Sequence, residues 1–275
     1  MDARARIPRL TVRSFDHATV VVTGAAGGLG RALCERFGRA GARIVALDRD
    51  DAALARLAAA LRARGVAVVA LACDVTDEGA CRHAIDAGAA EFGSIDLLIC
   101  NAGISHHGDF SHTAPEVIRR VMAVNFFGAV HCTHAALPWL LPRRGMVVAI
   151  SSVAGFAPLI GRTGYAASKH ALHGFFDSLR SEVASAGVAV MLVCPSFIAT
   201  DIDRNALDGE GSPWRGTKAV AGRLVPPDEV AARIFDAARR EQRLLLPGAT
   251  ARLAWWLSRL APAAWSRLMT SRMRG

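Results

Sequence analysis

Tyrosine and lysine are almost missing from this chain of 275 residues, which has one Tyr, Tyr165, and two Lys, Lys169 and Lys218. The remaining 31 of its 33 basic residues are Arg. The six cysteines, Cys34, Cys73, Cys81, Cys100, Cys132 and Cys194, form neither a Cys-x-x-Cys pair nor a zinc spacing. That excludes the common cysteine metal and redox motifs, and free thiols in a reducing cytoplasm are the simplest reading. No run of about 18 uncharged apolar residues occurs, so no membrane-spanning helix is expected. Residues 1–13 carry four Arg but no apolar run, unlike a secretory signal. Acidic residues are missing from 243–275, which hold six Arg. The net charge of +9 therefore lies in the two tails, while 14–242 is neutral. A nucleic-acid enzyme would spread basic residues over a folded face, so no nucleic-acid partner is expected. Basic tails suit an anionic membrane surface or another polyanion.

What is present is a regular alternation. With 52% hydrophobic residues the chain is globular. Near-continuous apolar runs at 18–23, 43–47, 66–73, 95–100, 145–150 and 188–194 predict buried strands, with a short seventh at 243–246. Amphipathic stretches between them predict helices at 28–41, 51–64, 77–92, 164–186 and 227–239, and two more within 115–137. Such strands between helices signal a parallel sheet covered on both faces. The fold class expected is α/β: one Rossmann-type, doubly wound domain over 15–247, with a basic amphipathic helical extension over 248–275. Residues 201–224 lack periodicity and read as a lid or binding loop, or as an insertion.

The turn Thr23-Gly24-Ala25-Ala26-Gly27-Gly28-Leu29-Gly30 follows the first strand and opens the first helix. Glycines there let the backbone approach a pyrophosphate seated at the positive helix N-terminus. Asp48 ends the second strand, where a carboxylate binds ribose hydroxyls and repels a 2′-phosphate. This favours NAD. Arg49 is the counter-argument, since its guanidinium suits the phosphate of NADP.

Tyr165 and Lys169 are four apart and share a helix face. An ammonium beside a phenol favours the phenolate and draws a Tyr pKa of about 10 toward neutrality. That makes a proton donor and acceptor usable near neutral pH.

Together these motifs resemble the classical short-chain dehydrogenases/reductases over about 15–247. Besides the Gly-rich turn, Asp74 is similar to that family's adenine-contacting Asp. Asn101-Ala102-Gly103 resembles its Asn-Asn-Ala-Gly turn, with Cys100 in place of the first Asn. Asn125 stands where the family has a helix Asn, and Ser152 lies thirteen residues before Tyr165. The segment Pro195-Ser196-Phe197-Ile198-Ala199-Thr200 resembles its nicotinamide loop, with Ser196 where Gly is usual. The resemblance implies a catalytic set: Ser152 holds the substrate oxygen, Tyr165 moves its proton, Lys169 lowers the Tyr pKa, and Asn125 holds a relay water. It implies cofactor contacts at Thr23, Gly24, Gly28, Leu29, Gly30, Asp48, Arg49, Asp74, Val75, Asn101, Ala102, Gly103, Tyr165, Lys169, Ile198 and Thr200. The activity implied is interconversion of a secondary alcohol and a ketone by hydride transfer, in a homodimer or homotetramer. A non-catalytic cofactor-binding sensor or membrane scaffold is the competing class.

The tail is distinctive. Leu253, Trp256, Leu257 and Leu260 follow helical spacing, as do Trp265, Leu268 and Met269, and three of five Trp fall here. A basic amphipathic helix with Trp on its apolar side suits a membrane interface. The other reading is a helix packed over the substrate cleft or a subunit interface. Leu260-Ala261-Pro262 with Leu268-Met269-x-Ser271-Arg272, and the stretch around Ser168–Arg180, resemble the dehydrogenase/reductase family member 7B group. That resemblance implies a lipophilic carbonyl substrate, membrane association and NADPH, the last in conflict with Asp48. The expected location is cytoplasmic, peripheral on the inner face of a membrane through 249–275. His131 with His134, and His170 with His173, have helical spacing, but no carboxylate or Cys cluster completes a metal site, and none is expected. His106 and His107 are expected at the active-site mouth or on the surface.

Overall fold

A computed structural model of the protein describes residues 12–200, 202, 205–216 and 224–273, with side-chain detail to 268. The basic residues before 12, much of the 201–224 loop, and the side chains of Met269, Arg272 and Arg274 lie outside the described residues.

Seven strands form one parallel sheet: β1 (Thr19–Thr23), β2 (Arg43–Asp48), β3 (Val68–Ala72), β4 (Leu97–Cys100), β5 (Met146–Ile150), β6 (Ala189–Val193) and β7 (Leu244–Leu245). Their order is β3-β2-β1-β4-β5-β6-β7, with every neighbouring pair parallel. This is the Rossmann-type α/β sheet expected. Strand residues alternate between two cores although nearly all are apolar. Val20, Val22, Ile44, Ala46, Leu97 and Ile99 face one layer, and Val21, Val45, Leu47, Leu98 and Cys100 face the other. Burial on both faces explains why these strands read as apolar runs rather than as alternation.

The first layer is made by α1 (Gly28–Gly38), α2 (Asp51–Arg62) and α7 (Pro227–Arg239). At its centre Phe37 is fully buried, edge-on to Phe15 at 5.0 Å and to Phe235 at 5.1 Å. Truncating Phe37 to Ala should cost about 3–5 kcal/mol. The second layer is made by α3 (Glu78–Phe92), α5 (Gly128–Arg143) and α6 (Thr163–Val183). Asp50 and Asp77 cap α2 and α3 by accepting from the N–H of Ala53 and Ala80. Where two helices were expected over 115–137, α4 (Pro115–Met122) runs into α5 through a π-helical turn, Ala123–Phe127.

Two further helices, α8 (Ala249–Leu260) and α9 (Pro262–Met273), follow β7. Ala254 and Trp265 pack with Ala157, beside Phe156, Leu159, Leu257 and Leu268, in a small separate apolar cluster. Among the described residues no helix is long and apolar enough to cross a membrane.

Candidate active site

The order of strands reverses between β1 and β4, and the loops at the carboxyl ends of the strands open a crevice there. A cavity of about 920 Å³ occupies it. Of the catalytic and cofactor-contacting residues expected from the sequence, all line this cavity except Thr23 and Asn125, which are buried behind its wall.

One end is backbone. Gly24 has φ +61°, and a Cβ there would meet the Ala102 backbone at 2.9 Å. A Cβ on Gly30 would lie 2.0 Å from the Gly24 carbonyl oxygen, so the turn and α1 touch main chain to main chain. Gly27, the N-cap of α1, contributes no capping side chain. Thr23 and Asn101 knit the two central strand ends together. Thr23 Oγ1 accepts from the N–H of Asn101 and of Ala102, both at 3.0 Å. Asn101 Nδ2 returns bonds to the carbonyls of Thr23 and Gly24 at 2.9 and 3.0 Å. Asp48 reaches the turn as well: its Oδ2 accepts from Ala26 N at 2.9 Å and its Oδ1 from Asp50 N at 3.0 Å. The Asp74 carboxylate accepts from the Thr76 N–H and hydroxyl. The backbone N–H of Thr76, helped by the cation of Arg49, holds the Asp74 carboxyl below the usual range.

The other end is the α6 face. Tyr165, Ser168, Lys169, Leu172 and Phe176 are among its buried residues, at helical spacing. Lys169 is 4% exposed, and its Nζ donates to the Ile150 carbonyl at 2.9 Å. Burial pushes its pKa down to about 8. Nζ lies 5.7 Å from the centre of the Tyr165 ring, and Tyr165 itself is 8% exposed. Ser152 Oγ accepts from Ala154 N at 3.1 Å, which leaves its hydroxyl proton for another acceptor.

Asn125 sits in the π-helical turn. Its Oδ1 accepts from Ile104 N at 2.8 Å, and its Nδ2 donates to Ile104 O at 3.0 Å and to Ser168 Oγ at 2.9 Å. Ser168 Oγ in turn donates to the Tyr165 carbonyl at 2.7 Å. Both amide hydrogens are thus engaged, and one Oδ1 lone pair remains for a water.

The loop after β6 closes over the glycine turn. A Cβ on Gly28 would meet Thr200 Cγ2 at 2.9 Å. Ala199 N donates to Val225 O at 3.0 Å, and Thr200 N to Ile198 O at 2.9 Å. Ser196 is not among the residues of positive φ, so a side chain costs no dihedral strain there.

Sequence reasoning passed over several cavity residues. Arg162, three before Tyr165, lines it with only 9% exposure, and its Nη1 donates to Ser105 Oγ at 3.3 Å. An Arg just ahead of the only Tyr was the available signal. Arg119 and Arg120 of α4 also line it, whereas Leu253, Trp265 and Leu268 of the tail, which line it too, were picked out by their helical spacing. His106 is fully buried rather than at the mouth or on the surface, and burial pushes its pKa down to about 4. His107 stacks on Trp214 at 3.6 Å. Neither lines the cavity.

The family model for short chain dehydrogenase matches residues 18–211. The chain is 41% identical to a dehydrogenase/reductase SDR family member 7B of Bos taurus, over 94% of this chain and 82% of that one. It is 36% identical to a dehydrogenase/reductase SDR family protein 7-like of Anopheles gambiae, over 94% and 84% of the two chains. A short chain dehydrogenase/reductase of Burkholderia phymatum, solved in complex with NAD, superposes with a TM-score of 0.83 at 27% identity, covering 92% of this chain and 96% of that one. The chain belongs to the short-chain dehydrogenase/reductase family of oxidoreductases.

Proposed function

We propose that this protein is an NAD-dependent oxidoreductase that interconverts a secondary alcohol and a ketone on a lipophilic substrate. The observation that carries the reading is that Tyr165, Lys169 and Ser152 line the same cavity as the glycine turn. The turn fits a dinucleotide, because Gly24, Gly28 and Gly30 stand where any Cβ would collide with neighbouring atoms. Its pyrophosphate would lie against residues 24–30, its adenosine ribose by Asp48, its adenine by Asp74 and Val75, and its carboxamide by Ile198 and Thr200. Bound nicotinamide would supply the hydride acceptor for alcohol oxidation and the hydride donor for ketone reduction.

The chain's own residues handle the proton. In reduction Tyr165 gives its phenolic proton to the developing alkoxide, and in oxidation it takes that proton back. The Lys169 ammonium stabilises the phenolate left behind. Ser152 donates its hydroxyl to the same substrate oxygen, strengthening as negative charge develops there. Asn125 acts on Tyr165 through Ser168 as a positioning residue. Val153, Leu159, Leu253, Trp265 and Leu268 make an apolar part of the cavity wall, which suits a lipophilic substrate.

The test is a panel of secondary alcohols and ketones followed by nicotinamide absorbance, with wild type and Tyr165→Phe. Wild type should turn over members of the panel, and the variant should lose at least roughly a hundredfold while still binding NADH. Retained turnover in the variant removes Tyr165 from the mechanism. NADH binding without turnover anywhere in the panel would favour the sensor or scaffold reading instead.

A further inference from the structure

The substrate end of the cavity is walled by the two tail helices, and one of their residues belongs to two surfaces at once. Leu253 of α8 lines the cavity yet is 63% exposed, so it stands at the lip. Thr250, three residues before it, and Ala254, the residue after it, also line the cavity. From Leu253 an apolar stripe continues outward along α8 through Trp256, 60% exposed, and Leu260, 77% exposed. These residues, three and four apart, share one helix face. The stripe is not what holds the helix to the body. Ala251 and Ala254 are the buried residues of α8, and Trp255 packs edge-on to Phe156 at 4.8 Å. The large apolar side chains are therefore left facing solvent beside the opening of an apolar cavity.

Charge selects the occupant. Arg252, Arg259 and Arg267 are exposed, and no acidic residue occurs from 243 to 275. The Arg259 guanidinium lies over the Trp255 ring at 3.1 Å, at the inner border of the stripe. Apolar residues flanked by cations without compensating carboxylates match an anionic lipid surface, whose headgroups meet the Arg while acyl chains meet Leu and Trp.

We propose that α8 docks the protein on an anionic bilayer and that the active-site cavity opens at Leu253 into that bilayer, so that substrate passes from the lipid phase without crossing water. The proposal rests on the reading of the cavity as a lipophilic-substrate site. Docking alone depends only on the stripe and its charges.

The experiment uses the full chain with phosphatidylcholine vesicles with and without phosphatidylserine. Sedimentation measures docking. Turnover is measured with a short soluble secondary alcohol and with a long-chain secondary alcohol dissolved in the vesicles. The variant is Trp256→Asp with Leu260→Asp, two residues outside the cavity wall. Wild type should sediment with the serine-containing vesicles, and the variant should lose roughly tenfold or more in partition. The variant should keep its turnover of the soluble alcohol and lose roughly fivefold or more on the vesicle-borne one. Equal sedimentation of wild type and variant overturns the docking. Equal turnover of the vesicle-borne substrate overturns the portal. A wild-type dimer that the variant converts to monomer, with no vesicle binding by either, assigns the stripe to a second copy of the chain and overturns the proposal. If the variant loses soluble turnover too, Arg252→Glu with Arg267→Glu replaces it, judged by the same two readouts. Absence of turnover by wild type on either alcohol fails the catalytic reading and leaves the sedimentation result to judge docking alone.

Discussion

Lys169 donates from Nζ to the Ile150 carbonyl at 2.9 Å, inside the wall of the cavity and almost out of reach of solvent. Burial penalises the ammonium and brings its pKa from an ordinary 10.5 down to about 8. At about 1.4 kcal/mol per pH unit, holding that charge costs roughly 3 kcal/mol of stability. The folded protein releases the proton near pH 8 and the unfolded chain near 10.5. The penalty is therefore complete below pH 8 and fades as pH rises between those values.

Lys169→Met removes this charge and tests both sides of the balance. Its stability relative to wild type should fall by about 3 kcal/mol between pH 7 and pH 10.5, because wild type alone sheds its penalty over that interval. Denaturant titrations at the two pH values measure it, and a constant difference would refute the buried ammonium. Turnover should fall at least roughly a hundredfold at pH 7. In wild type, ketone reduction should decline as pH rises through about 8, where Lys169 loses the charge that supports the Tyr165 phenolate.

The lysine was legible because the chain is so poor in Lys and Tyr, and the sheet was legible because strands buried on both faces are apolar runs. The helix ends were less so. The first helix was expected to reach Gly41 but α1 stops at Gly38, since the chain turns into β2 through Gly41 at φ +86°. The π-helical turn that aims Asn125 at Ile104 and Ser168 has no signature in apolar periodicity, because one extra residue in a turn changes the hydrogen-bond register and not the composition. The tail misleads in another way. Periodicity picks out Leu253, Trp256 and Leu260, yet Ala251 and Ala254 make the close approach to the body. Small residues permit that approach, and hydrophobicity ranks them below the large ones left outside.

Asp48 couples cofactor choice to the shape of the phosphate turn, since one oxygen accepts from Ala26 N and the other from Asp50 N. Asp48→Ala should raise the KM for NADH roughly tenfold or more and move the NADH-to-NADPH ratio of kcat/KM toward NADPH, with Arg49 left to meet the 2′-phosphate. Arg49→Ala should leave the NADH preference standing. A wild-type preference for NADPH that Arg49→Ala abolishes would reverse the assignment.

Trp265 is placed to limit what the cavity admits. It comes from α9, is 6% exposed, lines the cavity, and donates from Nε1 to the Pro158 carbonyl at 3.4 Å. Its indole thereby fixes α9 against the loop that follows Ser152. Truncation to Ala would cost about 3–5 kcal/mol, so Trp265→Leu is the better probe. It keeps an apolar wall but replaces the indole with a smaller branched side chain, lengthening the space by about one or two methylene groups. Each methylene buried there is worth about 0.8 kcal/mol, or roughly fourfold in kcat/KM. Across a ladder of 2-alkanols of increasing chain length, the optimum should move to longer members in the variant, and the shortest should lose efficiency. An unchanged optimum, with thermal stability preserved, would show that α9 covers the cavity without measuring what enters it.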